Sequence, residues 1–140
     1  MTTREITLEN LNETIADNDA VLLDFWAAWC GPCRAFGPVF EQASETNPDI
    51  VFGKIDTEAQ QELAAGFQIT SIPTLMAFRE GILIFSQPGA LNATQLTAVV
   101  DAVKGLDMDE VRAQVAQQQA ALGQQAQAAE RVAANASEEL

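Results

Sequence analysis

The stretch Trp26-Ala27-Ala28-Trp29-Cys30-Gly31-Pro32-Cys33 holds both cysteines of the 140-residue chain. Two thiols separated by two residues can close into a small disulfide and open again. Gly31 and Pro32 predict a turn into a helix, because proline suits the first helical position. The positive end of that helix would stabilise a thiolate at Cys30. An accessible thiolate of low pKa is the attacking species in disulfide exchange, and Cys33 is placed to resolve the mixed disulfide.

Other roles for a cysteine pair fit the sequence less well. A structural staple across two residues would remove little entropy from the unfolded chain. A zinc site needs four ligands, whereas the chain has two cysteines and no histidine. Two inert buried cysteines would not need Gly-Pro between them. The pair therefore predicts redox chemistry and no bound metal.

The composition limits the classes of function. Apolar residues make up 48% of the chain, which is enough for one domain with a core. The net charge of −13 argues against binding to nucleic acid or to an anionic membrane surface. The N-terminal segment MTTREITLEN lacks the apolar region of a signal peptide, and no run is long enough to span a membrane. We therefore expect a cytoplasmic protein, in which a lone cysteine pair is more often catalytic than structural.

Apolar residues alternate between strand-like runs and helical stripes along the chain. Strands are predicted over residues 4–7, 21–26, 50–56, 75–78 and 82–86. Helices are predicted to begin at Thr7 or Glu9, at Pro32, at Glu58 and after the cap residue Asn92. A buried strand, a helix and another buried strand favour a right-handed crossover with parallel pairing.

Asp24 is the charged residue within the apolar run 21–26. Such runs are typical of strands buried on both faces, and an ionised carboxylate there is costly, so the pKa of Asp24 should be raised. One interpretation is a structural aspartate paired with a basic residue such as Lys54. The other is a buried base that takes the proton from Cys33, through water, while the mixed disulfide resolves. The chain has no histidine, so this role falls to a carboxylate or to water.

The run from Asp24 to Arg34 resembles the active-site signature of the thioredoxin family. Forty residues after Cys33, the segment Ile72-Pro73-Thr74 matches the cis-proline segment of that family, and Gly89-Ala90 matches its later glycine loop. The similarity runs from about residue 5 to residue 104. It implies the α/β thioredoxin fold, with a mixed sheet of about five strands and helices on both faces.

The resemblance also implies roles for single residues. Cys30 would attack, Cys33 would resolve, and Asp24 would be the base, with Lys54 and Trp26 in support. The residues implied to hold the substrate chain are Trp29, Gly31, Pro32, Ile72, Pro73 and Gly89. The resemblance implies a cis Ile72–Pro73 bond. A proline at the start of a strand gives no amide to the sheet, so the backbone of Ile72 could pair with an extended substrate. The family more often has an apolar β-branched residue at Pro88, so substrate fit at that loop is left open.

The function implied is a thiol–disulfide oxidoreductase that acts as a general protein-disulfide reductase. By resemblance, a thioredoxin reductase using NADPH and flavin would return Cys30 and Cys33 to the dithiol. The chain itself would bind no cofactor, and we expect a monomer whose partners are that reductase and proteins with disulfides. The alternatives are a redox-independent binding module acting on a dedicated partner and a metal carrier that uses the two cysteines in a shared site.

The predicted thioredoxin domain covers residues 1–105, and residues 106–140 form an extension rich in alanine and glutamine. A heptad-like spacing relates Met108, Val111, Val115 and Leu122. Gln118 and Gln125 occupy the next inward positions, so too few heptads are apolar for a coiled coil. We expect a helix from about 107 to 121 and then a frayed or mobile end. A solubilising or packing tail, a partner-binding helix and a dimer seam are the alternatives for its role.

Overall fold

The computed structural model describes residues 2–138. The elements follow in the order β1 (Thr3–Glu5), α1 (Leu11–Asp17), β2 (Ala20–Trp26), α2 (Gly31–Thr46), β3 (Val51–Asp56), α3 (Gln61–Gly66), β4 (Thr74–Arg79), β5 (Ile82–Pro88), α4 (Ala93–Lys104) and α5 (Met108–Glu138). They divide into two compact units, Met1–Lys104 and Gly105–Leu140. The cysteine pair lies in the first unit.

The first unit is built on a mixed five-stranded sheet in the order β1-β3-β2-β4-β5. Strand β3 runs parallel to β1 and β2, whereas β4 runs antiparallel to β2 and β5. The predicted parallel pairing is confirmed for β2 and β3, which α2 connects. It is wrong for β3 and β4, because β4 lies on the other side of β2 and runs antiparallel to it. An apolar run shows that a strand is buried on both faces, but it does not fix the direction of the strand.

Helices cover both faces of this sheet, as predicted. Successive residues of the central strand β2 point to opposite faces. Leu22 belongs to a buried cluster with apolar residues of α2 and α4. Leu23 belongs to a second cluster with Leu11 of α1 and Leu63 of α3. Strand β2 is therefore shielded from water on both faces and along both edges.

The first helix begins later than its sequence pattern predicts. Residues 8–10 form a turn and α1 starts at Leu11. Leu8 is 49% exposed, so it does not share the buried face of the helix. Its amide donates a hydrogen bond to Oε1 of Gln60, a residue far away in the sequence. This tertiary contact is not visible in the local spacing of apolar residues.

The third helix is also shorter than predicted. Asp56 Oδ1 accepts hydrogen bonds from the amides of Glu58 and Ala59, which builds a turn ahead of α3. The predicted start at Glu58 is therefore wrong, and the helix starts at Gln61. Gly66 is the last helical residue, and the left-handed backbone conformation falls on Gln68 with φ of 57°.

The fourth helix begins where the sequence predicts. Asn92 Oδ1 accepts a hydrogen bond from the amide of Gln95, and Gln95 Oε1 accepts one from the amide of Asn92. This reciprocal pair is a capping box, and it satisfies backbone donors that the helix itself leaves unpaired. The predicted cap at Asn92 is confirmed.

The helix of the second unit is longer than predicted. It runs from Met108 to Glu138, past the expected end near residue 121. Alanine and glutamine favour helix, and the last proline of the chain is Pro88, so nothing in this segment interrupts the hydrogen-bond ladder except the weak helix former Gly123. Leu122 and Val132 are 64% and 68% exposed. In the part of the chain that the structure describes, no helix has the length and apolar character needed to cross a membrane.

Gly53 in β3 lies beside the side chains of Ile6, just after β1, and of Leu23 in β2. An added Cβ would lie 2.5 Å from Cγ1 of Ile6 and 3.0 Å from Cδ2 of Leu23, both fully buried. We expect Gly53→Ala to lower the free energy of unfolding by about 1–3 kcal/mol, as overpacking of a core does. Urea unfolding of the oxidised protein measures this change.

Gly66→Ala is the matched control. No heavy atom lies within 4 Å of its Cβ position, and alanine is favoured over glycine in a helix by about 0.5–1 kcal/mol. This variant should be as stable as the wild type or slightly more so. A Gly53→Ala protein with wild-type stability would contradict this prediction and show that the core can rearrange to accept the added methyl group.

Candidate active site

The cysteine pair lies where β2 ends and α2 begins. Strand β2 ends at Trp26, Cys30 is the N-cap of α2, and Pro32 occupies the first turn. The sulfur of Cys30 accepts a hydrogen bond from the amide of Cys33 at 3.2 Å. A thiolate at this position would receive that hydrogen bond together with the positive end of the helix dipole. The predicted turn into a helix is confirmed.

The two cysteines form a disulfide, with their Cα atoms 5.2 Å apart. Each is only 4% exposed, and both pack with the buried Ala27 against Trp26 and Ile72. The expected accessibility of Cys30 is therefore not found in the oxidised state. The reason is that its sulfur is bonded to Cys33 and lies under Ile72, so attack on a substrate requires the reduced form.

The cis-proline segment lies against this disulfide. The Ile72–Pro73 peptide bond is cis, as the family resemblance implies. The carbonyl oxygen of Ile72 lies 3.7 Å from the sulfur of Cys30. The amide of Gly89 donates a 2.7 Å hydrogen bond to the carbonyl of Pro73, and Gly89 has a φ of +102°, where a side chain would be strained. The fold thus brings Cys30, Ile72, Pro73 and Gly89 together from three segments of the chain.

Trp29 projects from the surface next to the cysteine pair. Its side chain is 67% exposed, and its indole nitrogen donates a 2.7 Å hydrogen bond to Glu58 Oε1. Gly31 and Pro32 are also exposed. Glu58 was predicted from the sequence only as the start of a helix, not as a residue of the site. It could have been found from topology, because β3 runs parallel to β2 and the loops that follow the two strands open at the same edge of the sheet.

Asp24 lies inside the sheet two residues before Trp26. It is 0% exposed, and neither carboxyl oxygen has a hydrogen-bond partner within residues 2–138. Burial raises the pKa of Asp24 to about 7, against a smaller lowering by the charge of Lys54. The direction of the shift agrees with the sequence prediction. An acid with a pKa near neutrality can both take and release a proton under ordinary conditions.

Lys54 faces Asp24 in the register of β2 and β3, but it does not form the ion pair that one interpretation of the sequence required. Between residues 2 and 138 no ion pair joins the two side chains. The ammonium of Lys54 lies 5.0 Å from the centre of the Trp26 ring instead. A cation over an indole face is held by the quadrupole of the ring. The charge of Lys54 therefore lowers the pKa of Asp24 from a distance, without a direct ion pair.

A Cys30–Cys33 disulfide at a helix N-terminus beside a cis-proline loop is the site of a thiol–disulfide oxidoreductase, and the protein belongs to that class. The family model described as Thioredoxin matches residues 2–102. The chain belongs to the thioredoxin family.

Curated relatives support this assignment. The chain is 60% identical over 121 residues to the Streptomyces coelicolor protein named "Putative thioredoxin 2", covering 86% of this chain and 90% of that protein. It is 41% identical over 98 residues to Thioredoxin C-3 of Corynebacterium nephridii, covering 69% of this chain and 68% of that protein. The first unit ends at Lys104, so the 121-residue similarity continues into α5.

Solved structures agree on the fold. The chain matches a thioredoxin of Plasmodium falciparum with a TM-score of 0.67 and 31% identity, covering 71% of this chain and 98% of that chain. It matches a mutant thioredoxin from Halobacterium salinarum with a TM-score of 0.68 and 32% identity, covering 73% of this chain and 90% of that chain.

The buried acid makes stability depend on pH. The pKa of Asp24 is about 7 in the folded protein and near 3.8 when unperturbed, so between these values only the folded state keeps the proton. The free energy of unfolding should therefore fall as pH rises from about 4 through about 7. The loss attributable to this group is up to roughly 4 kcal/mol.

Asp24→Asn should remove this part of the pH dependence. From pH 5 to pH 8 the wild type should lose stability that the variant keeps, so the difference in free energy of unfolding should shift in favour of the variant. Urea unfolding of the oxidised proteins at both pH values measures this difference. Asp101→Asn is the control, because Asp101 is exposed on α4 and its replacement should leave the wild-type slope. A stability difference between Asp24→Asn and wild type that stays constant with pH would contradict the raised pKa.

Proposed function

We propose that this protein is a general protein-disulfide reductase, with Cys30 as the attacking and Cys33 as the resolving cysteine. The observation that carries the proposal is the position of Cys30. Its sulfur caps α2 and accepts the amide hydrogen bond of Cys33, an arrangement that stabilises a thiolate at Cys30 rather than at Cys33. The reducing direction is carried over from the family on the basis of the Gly31-Pro32 dipeptide.

The cycle is two exchange steps. The Cys30 thiolate attacks one sulfur of a substrate disulfide, a Cys30–substrate bond forms, and the other substrate sulfur leaves as a thiolate. Asp24 then takes the proton of Cys33, through water, and the Cys33 thiolate attacks the sulfur of Cys30. The second substrate sulfur leaves, both substrate thiolates take up protons, and the Cys30–Cys33 disulfide remains. Two electrons pass from the protein to the substrate.

The surface around the pair is suited to an extended peptide of varied sequence. The backbone of Ile72 lies beside Cys30 and can pair with the main chain of a substrate. Gly89 follows Pro73 in space and leaves room because it has no side chain. Trp29 and Pro32 supply exposed apolar contact area on the other side. Recognition through backbone and apolar contacts would give affinity without strong sequence preference.

The remaining assignments follow from the family. The protein would act as a cytoplasmic monomer, take electrons from NADPH through a thioredoxin reductase, and hold no cofactor of its own. The boundary near residue 105 separates the redox domain from an extension that we assign to solubility or packing. Most described side chains of α5 are exposed, and the fold and active site described above belong to the first unit.

The first test is reduction of insulin disulfides driven by dithiothreitol, which needs no cognate reductase. Wild type and a chain truncated after Gly105 should both reduce insulin, because the active site lies within the first unit. Cys33→Ser should lose turnover because the mixed disulfide cannot resolve. An inactive wild type with both thiols titratable would contradict general reduction and point to a redox-independent role on a dedicated partner.

The role of Asp24 is tested by the second exchange step alone. Reduced protein is mixed rapidly with an aromatic disulfide, and the release of the second chromophoric thiolate is followed. Asp24→Asn should slow this release about tenfold or more at pH 7, since a general base typically contributes a factor of about 100 or more. The difference should narrow by pH 9, where hydroxide can take the proton in place of Asp24.

Asp101→Asn serves again as the control for loss of a carboxylate and should keep the wild-type rate. The first release, which reports attack by Cys30, should be the same in both variants. A second step that is unchanged in Asp24→Asn from pH 6 to pH 9 would remove Asp24 from the mechanism.

A further inference from the structure

A pocket of about 330 Å³ lies beside Cys33, and none of the residues proposed to hold the substrate chain lines it. Residues of β2, α2 and β3 line it, among them Trp26, Cys33, Arg34, Gly37, Glu41 and Lys54. The pocket is open to solvent, so a small solute can enter it without movement of the backbone.

Two cations, Arg34 and Lys54, line this pocket. In the part of the chain that the structure describes, the side chains of Arg34 and Lys54 make no ion pair and no hydrogen bond. Arg79 and Lys104, by contrast, pair with Asp19 and Asp49 at 2.9 and 3.3 Å. The chain has 7 basic and 20 acidic residues, so two unpaired cations in one pocket run against its overall charge.

Glu41 is the acidic residue in the lining, and it is engaged elsewhere. Its carboxylate accepts hydrogen bonds from the amide of Thr2 at 3.2 Å and from the hydroxyl of Thr3 at 2.7 Å. The bond from Thr3, above all, lowers the pKa of Glu41 and keeps it ionised. Glu41 lies two turns beyond Arg34, about 10 Å along the helix axis. An anion would therefore lie towards Arg34, away from Glu41.

The ammonium of Lys54 is accessible to a ligand in the pocket. The lysine nitrogen is held 5.0 Å from the centre of the Trp26 ring. Gly37 faces it without a side chain, and an added Cβ there would lie 3.7 Å from Nζ. An ammonium and a guanidinium that flank one space can give several charge-assisted hydrogen bonds to a tetrahedral oxyanion.

We propose that this pocket binds a small tetrahedral dianion of the phosphate or sulfate type, held by Lys54 and Arg34 against the indole of Trp26. Such a ligand would sit behind Cys33 and leave the substrate surface around Trp29 and Ile72 free.

The test is a titration of the ¹⁵N-labelled, oxidised full chain with inorganic phosphate at pH 8, followed by amide chemical shifts. Sodium chloride keeps the ionic strength constant, so that general screening does not change. Saturable shifts are expected at the amides of Arg34, Gly37 and Lys54. Sulfate should compete for the same site, whereas acetate, with one charge, should bind at least tenfold more weakly.

Lys54→Gln and Arg34→Gln should each weaken phosphate binding about tenfold or more, since each removes a charge-assisted hydrogen bond to the anion. Arg4→Gln removes an exposed cation of β1, outside the pocket, and should leave the affinity unchanged. Shifts that grow linearly with phosphate, equal affinity for acetate, or wild-type affinity in Lys54→Gln would each overturn the proposal.

Discussion

The first unit is arranged around one unfavourable feature, a carboxyl group buried in its central strand without a hydrogen-bond partner among the described residues. Asp24 lies between β3 and β4, and clusters of apolar side chains cover the sheet on both faces. Bulk solvent is excluded there because β2 is the middle strand. The same exclusion that builds the core raises the pKa of Asp24 to about 7. A stable fold and an acid that titrates near neutral pH therefore have a common physical origin.

The sequence was sufficient where the signal is local. The Cys30-Gly31-Pro32-Cys33 run determines a turn and a helix start within a few residues, and Asn92 caps α4 through a residue three positions away. The anomaly of Asp24 was also visible, because a charge inside an apolar run needs no partner to be recognised. The family resemblance supplied what these signals lack, namely the sheet type and the cis bond at Pro73.

The sequence was insufficient where distant segments decide the outcome. The direction of β4 depends on which side of β2 the chain returns to, and an apolar run is the same in either direction. Just before α1, the amide of Leu8 donates a hydrogen bond to Gln60, which is distant in the sequence. Glu58 joins the site through a hydrogen bond from the indole of Trp29, which lies in another loop. The extension shows the opposite case: α5 runs further than expected because alanine and glutamine sustain a helix even where the apolar pattern fades.

The position of Lys54 shows how closely the pKa of Asp24 depends on geometry. A direct ion pair would stabilise the carboxylate and push its pKa well below neutrality, where it would be a weak base for a thiol. Removal of the lysine would leave desolvation unopposed and keep the acid protonated. Because the ammonium is held over Trp26 instead, it lowers the pKa of Asp24 only in part. The same side chain lines the pocket beside Cys33, so the charge that acts on the buried acid is also one of the two cations of that pocket.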